Sequence, residues 1–126
     1  MMTPRNRFGR GAPVVESQLL DTRRAFDSVA ADYDGPRGNN VLIRRMRRAL
    51  WNAVRDDLPA GSRLLDLGCG TGIDAVAFAR RGYRVTATDW SPRMVERTRA
   101  RAEHAAIPSR IDVRHVGIQE LDRVEG

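Results

Sequence analysis

The sequence predicts an open, parallel α/β sheet, and three observations carry that prediction. From Arg63 onward, short apolar strands alternate with helical stretches in strand–helix–strand–helix–strand order, the pattern of a parallel sheet. Glycines crowd the first strand-to-helix junction, at Gly68, Gly70 and Gly72. The first and second strands each carry an aspartate at or near the end, Asp66 and Asp89, where ligands bind in such sheets.

The chain has 126 residues, enough for one domain. Residues 1–20 are rich in Arg, Gly and Pro without an apolar period, and read as a disordered tail. The remaining 21–126 form the predicted domain. Phe26, Val29, Ala30 and Tyr33 recur at helical spacing, so a short amphipathic helix is expected near 21–33. Gly35, Pro36 and Gly38 break it. A second helix is expected over 41–58, with Leu42, Met46, Leu50, Ala53 and Val54 as its apolar stripe and Arg44, Arg47, Arg48 and Arg55 on a solvated side.

The first strand, 63–67, carries Leu64, Leu65 and Leu67, and is expected to be buried on both faces. After the glycine loop a helix is expected over 73–81, with Gly82 at its left-handed terminus. The second strand is 84–88. Ser91 and Pro92 offer an N-cap and a first-turn proline for a helix to about residue 106. The third strand is 111–116, and the crossovers should be right-handed.

Composition limits the function classes. No apolar run approaches the ~20 residues of a membrane helix. One cysteine excludes an intramolecular disulfide, and a cytoplasmic location is the default. The net charge is +6, but all 22 basic residues are arginine, as a GC-rich coding sequence would give. Nucleic-acid binding through the tail and the 44–55 helix therefore stays a rival reading, to be recognised by its salt dependence. His104 and His115 are isolated and no metal site is expected. Cys69 has no neighbouring base and is not expected to be a nucleophile.

The chemistry sits in Leu64-Leu65-Asp66-Leu67-Gly68-Cys69-Gly70-Thr71-Gly72. A phosphate-cradling P-loop requires lysine, which the chain lacks. A dinucleotide fingerprint requires glycine at position 73, where Ile73 stands. Asp89 falls 17 residues beyond Gly72, where a carboxylate can accept both ribose hydroxyl protons; the lesser alternative is a charge at the next helix's N-terminus.

The acid-x-G-x-G-x-G stretch, Asp66 to Gly72, resembles motif I of class I S-adenosylmethionine (SAM)-dependent methyltransferases, and Thr88-Asp89-Trp90-Ser91-Pro92 resembles their ribose-binding motif. The resemblance implies a Rossmann-like fold, SAM as cofactor, and methyl transfer to an acceptor, with a small molecule expected. It implies that Gly68, Cys69, Gly70 and Gly72 form the cofactor loop, and that Asp66 lies near the cofactor's amino-acid end, acting through water or loop amides. It implies that Asp89 holds the ribose and Trp90 lies beside the adenine. The family's adenine-binding aspartate has no counterpart, since the chain reads Gly117-Ile118-Gln119; Gln119 or the backbone is expected to accept from the adenine amine, and Ile118 to touch the base. Residues 26–34 resemble the helical leader of small-molecule methyltransferases, in which a tyrosine at the place of Tyr33 closes over the cofactor. Packing is the alternative role for Tyr33 and Trp90. The resemblance covers only the first half of that fold, so the domain is expected to be incomplete at its C-terminus, inactive alone, with an open edge at the first strand and its catalytic residues beyond Gly126. A non-catalytic SAM- or nucleotide-binding module and an NAD oxidoreductase are the other readings.

Overall fold

A computed structural model describes residues 12–35 and 38–124. The elements run α1 (Ala12–Val29), α2 (Val41–Asp57), β1 (Arg63–Leu67), α3 (Ile73–Arg80), β2 (Arg84–Asp89), α4 (Pro92–His104) and β3 (Ile111–His115), with short 3-10 segments after α4 and β3. The three strands are parallel in the order β1-β2-β3. The α/β sheet expected from the strand–helix alternation is therefore present, with β1 at an edge.

Register explains where the core lies. Leu64, Val85 and Ile111 stand abreast, as do Asp66, Ala87 and Val113, so these residues share one face. Against that face pack Ala75, Val76, Phe78 and Ala79 of α3 and Ala102 of α4. Alanines on both helices allow close approach to the sheet, and Phe78 fills the remaining space edge-on against Tyr83, with ring centroids 6.1 Å apart. The Tyr83 hydroxyl donates to the Leu58 carbonyl at 3.0 Å, tying the end of α2 to the core.

The opposite face corrects the expectation that β1 is buried on both sides. Leu65 and Leu67 remain 50% and 41% exposed. Strand order supplies the reason. Two successive crossovers that advance the sheet in one direction with one hand place both helices on the same face.

The helical frame around the sheet also departs from expectation. Helix α1 begins at Ala12 rather than near 21 and ends at Val29; residues 12–20 are helical, Tyr33 falls in the following turn, and the expected tail over 1–11 lies outside the described residues. Asp27 of α1 accepts from the Ser91 hydroxyl and, at 3.2 Å, from the Arg93 amide, which fastens α1 to the start of α4. In α2 the anticipated stripe does not face the core. Leu42 and Met46 are 67% and 63% exposed, and of the stripe only Val54 packs on the core, alongside Trp51. Arg47, expected on the solvated side, is instead half-buried in a 2.8 Å ion pair with Asp74, and the Trp51 indole donates to the same carboxylate at 2.8 Å. A polar clasp at the base of α3, and not the apolar period, sets the orientation of α2.

Helix α4 starts as its sequence dictates. Ser91 accepts from the Met94 amide at 3.1 Å, with proline in the first turn. No helix among the described residues is long and apolar enough to cross a membrane.

Candidate cofactor site

The loop between β1 and α3 is built from left-handed glycines. Gly68, Gly70 and Gly72 have φ of 69°, 58° and 86°, a region that L side chains enter at a cost. At Gly72 space is closed as well, because a Cβ there would stand 2.8 Å from Thr98 Cγ2. Thr98 is fully buried on α4, and its hydroxyl donates to the Gly70 carbonyl at 2.8 Å. The Cys69 amide donates to the Thr88 carbonyl at 2.8 Å. The loop is thus clamped by β2 on one side and α4 on the other.

Asp89 is the main side-chain clamp. Its Oδ2 accepts from the Gly70 amide at 2.9 Å and its Oδ1 from the Ser91 amide at 2.8 Å. A carboxylate offers about four lone-pair sites, so each oxygen retains acceptor capacity. Among the described residues the carboxylate that fastens the loop amides is that of Asp89, not Asp66.

Beyond the strand ends lies a cavity of about 320 Å³, within the size range of small-molecule sites. Tyr33, Gly68, Gly70, Asp89, Trp90, Ile118 and Gln119 all line it, seven of the ten residues singled out from the sequence. Cys69, Gly72 and Asp66 do not line it: Cys69 and Gly72 turn back toward Thr98. Tyr33 also stands over the loop, its Cε1 3.8 Å from where a Cβ on Gly70 would be, with its ring centroid 6.5 Å from that of Phe26.

The Trp90 indole is fixed from three directions. Its Nε1–H donates to the Leu19 carbonyl at 2.8 Å, the Arg23 guanidinium lies 5.1 Å from the ring centroid, and the His115 ring stacks on it at 5.8 Å. His115 Nε2 also lies 2.9 Å from the Trp90 carbonyl oxygen. Sequence reasoning missed both His115 and the α1 wall of the cavity formed by Leu19, Thr22, Arg23 and Phe26. Signals existed for each. His115 is abreast of Asp89 in the β2–β3 register, and Leu19 and Phe26 are seven residues apart, on one helical face.

Burial governs the ionisable groups. Asp66 is pushed up from 3.8 to about 6, chiefly by desolvation and then by the nearby charges of Asp74 and Asp89, while Arg47 opposes the shift. Its Oδ2 is buried without a hydrogen-bond partner. Burial pushes the Cys69 thiol up to about 12, so it is a neutral thiol at physiological pH and a poor nucleophile. No group of three His, Cys, Asp or Glu side chains is placed to hold a metal ion among the described residues.

Comparison with known proteins gives this geometry a family. A profile described as a methyltransferase domain matches residues 64–126, half of the chain. A ubiquinone biosynthesis O-methyltransferase of Methylocella silvestris is 46% identical over 114 residues, covering 76% of this chain and 44% of the relative. An S-adenosyl-L-methionine-dependent Diels-Alderase of Neonectria sp. is 36% identical over 83 residues, 65% of this chain and 33% of that one. Among solved structures, a SAM-dependent methyltransferase from Geobacter sulfurreducens in complex with S-adenosyl-L-homocysteine superposes with a TM-score of 0.51 at 32% identity, covering 56% of this chain and 28% of the other. The chain therefore spans between about a third and less than half the length of these curated relatives. With half its length matched by that profile, on a parallel sheet whose glycine loop and acid-ended second strand meet at one cavity, the protein belongs to the class I SAM-dependent methyltransferase family.

Proposed function

We propose that this chain is a single cofactor-binding domain that holds SAM and serves methyl transfer to a small-molecule acceptor. The observation that carries the reading is the cavity at the strand ends, bounded by the Gly68–Gly70 backbone, Asp89 and Trp90. The residues present fit the cofactor. Asp89 keeps lone pairs for the two ribose hydroxyls. Trp90, Met94, Val116 and Ile118 offer apolar walls to a purine, and Gln119 offers an amide at the same rim. Asp66, one residue behind Leu67 in the cavity wall and with a buried unpartnered oxygen, supplies charge of the sign that an ammonium requires, acting through water or the loop amides. A small-molecule acceptor is supported by relatives named for ubiquinone biosynthesis and for magnesium-protoporphyrin O-methylation.

SAM supplies a methyl group already activated by its sulfonium. The chain's residues then act by positioning: Asp89 fixes the ribose, the clamped loop fixes the backbone amides, and Tyr33 shields the loop from water. Holding donor and acceptor in line is worth ~7–11 kcal/mol of barrier in well-oriented systems. The neutral Cys69 thiol takes no part as a nucleophile.

Asp89→Asn tests the reading while preserving shape. The variant should keep a folded circular dichroism spectrum and lose S-adenosylhomocysteine affinity by about 100-fold, since one ribose acceptor is lost, the other loses its charge, and the new amide NH2 opposes one of the two backbone N–H donors that the carboxylate holds. An affinity within about threefold of the unsubstituted chain's would contradict the assignment. Stoichiometric release of S-adenosylhomocysteine with acceptor would separate methyl transfer from the cycloaddition named for the Neonectria relative.

A further inference from the structure

Helix α4 carries two arginines one turn apart, Arg97 and Arg101, and both reach back to the segment that follows α1. Arg97 Nη2 donates to the Ala31 carbonyl at 3.1 Å. Arg101 Nη2 donates to Asp34 Oδ2 at 2.8 Å. Tyr33 lies between these two anchors in the chain. The Arg101 guanidinium also turns its Nε to the glycine loop, donating to the Thr71 carbonyl at 3.0 Å. Thr98, on the preceding turn of α4, holds the neighbouring Gly70 carbonyl at 2.8 Å. A single side chain thus joins the loop to the residue beside Tyr33.

Burial makes this bridge more than a surface contact. The Asp34 side chain is 23% exposed and its Oδ1 is buried without a hydrogen-bond partner, so among the described residues Arg101 is what compensates the carboxylate. Removing one partner of such a pair leaves a charge poorly solvated. Tyr33 lines the cavity, and its Cε1 stands 3.8 Å from where a Cβ on Gly70 would be. Any displacement of residues 31–34 therefore moves the ring off the loop. We infer that Arg101 is a positioning residue for cofactor affinity: it ties the Tyr33 segment to the glycine loop, so that cover and loop hold the cofactor as one unit. The inference rests on the SAM reading above. Arg101 itself does not line the cavity and acts on the ligand only through the residues it holds.

The test is a set of calorimetric titrations of the whole chain with S-adenosylhomocysteine, with circular dichroism as the folding check. Arg101→Met should weaken binding by about five- to tenfold, the size of a charge-assisted hydrogen bond discounted for partial exposure. Asp34→Ala breaks the same bridge from its other end and should match that loss within about twofold. Arg101→Lys should recover part of it, because the charge remains without the planar fork that serves two acceptors. Tyr33→Ala should weaken binding by itself. Adding Arg101→Met to Tyr33→Ala should change the affinity by no more than about twofold, because both substitutions act on one contact. If Arg101→Met loses its folded spectrum, Asp34→Ala carries the same cycle with Tyr33→Ala.

Additive losses in the double variant would show that Arg101 serves the scaffold and not the Tyr33 contact. Unchanged affinity in Arg101→Met, Asp34→Ala or Tyr33→Ala would show that the bridge does not bear on the ligand. Either result overturns the inference and leaves the cofactor reading standing. Failure of the unsubstituted chain to bind S-adenosylhomocysteine would remove the cofactor reading and this inference with it.

Discussion

Asp66 should make cofactor binding depend on pH. Its carboxyl sits at about 6 because burial and the charges of Asp74 and Asp89 disfavour ionisation. An ammonium held near it favours the ionised form, so the ligand binds best to the carboxylate. Between pH 7 and pH 5 the ionised fraction of a group with that pKa falls from about nine-tenths to about one-tenth, and S-adenosylhomocysteine affinity should fall about tenfold. At pH 6 each binding event should release about half a proton, measurable by calorimetry in buffers of different ionisation enthalpy. Asp66→Asn should abolish both effects. It should also stabilise the ligand-free fold at pH 7–8 by at most about 3 kcal/mol, the cost of keeping a carboxylate ionised against a shift of this size. The sign is fixed by proton uptake. The folded state binds the proton more tightly than the unfolded chain, so this group's contribution is complete below about 3.8 and is lost as pH rises through about 6. An affinity unchanged from pH 7 to pH 5, with no proton released, would rule out this role for Asp66. So would a slope that survives in Asp66→Asn.

Two further substitutions examine the scaffold. Gly72→Ala combines a φ of 86° with a Cβ 2.8 Å from Thr98 Cγ2, so it should destabilise the fold by about 2–5 kcal/mol, the sum of left-handed strain and overpacking; a thermal melt indistinguishable from wild type would contradict the clamp. Ser91→Ala removes both the α4 cap to Met94 and the bond to Asp27 on α1. It should cost about 1–2 kcal/mol and raise amide exchange in α1, and unchanged exchange there would show that α1 does not depend on this latch.

The central half of the fold is legible in the sequence because local chemistry and tertiary structure agree there. Gly68, Gly70 and Gly72 each require the conformation that only glycine adopts freely, and Ser91-Pro92 caps the helix it announces. Asp89 stands out because strand ends in parallel sheets face the ligand crevice. The misplaced features are decided by contacts that no period records. The α2 stripe of Leu42, Met46 and Leu50 is a strong helical pattern, but the ion pair of Arg47 with Asp74 and the Trp51 indole turn a different side inward. The three leucines of β1 read as a strand buried on both faces, whereas same-handed crossovers put both helices on the Leu64 side. Helix α1 starts earlier than expected because the Arg-, Gly- and Pro-rich opening residues mask the spacing of Leu19 and Phe26. His115 carries no sequence motif, and only the pairing of β2 with β3 brings it to Trp90.

The decisive measurement is a calorimetric titration of the whole chain with S-adenosylhomocysteine, run beside NADH, with circular dichroism to confirm folding. A SAM site at the glycine loop predicts saturable binding of S-adenosylhomocysteine at one site per chain and none of NADH. Binding of NADH with no response to S-adenosylhomocysteine would contradict it.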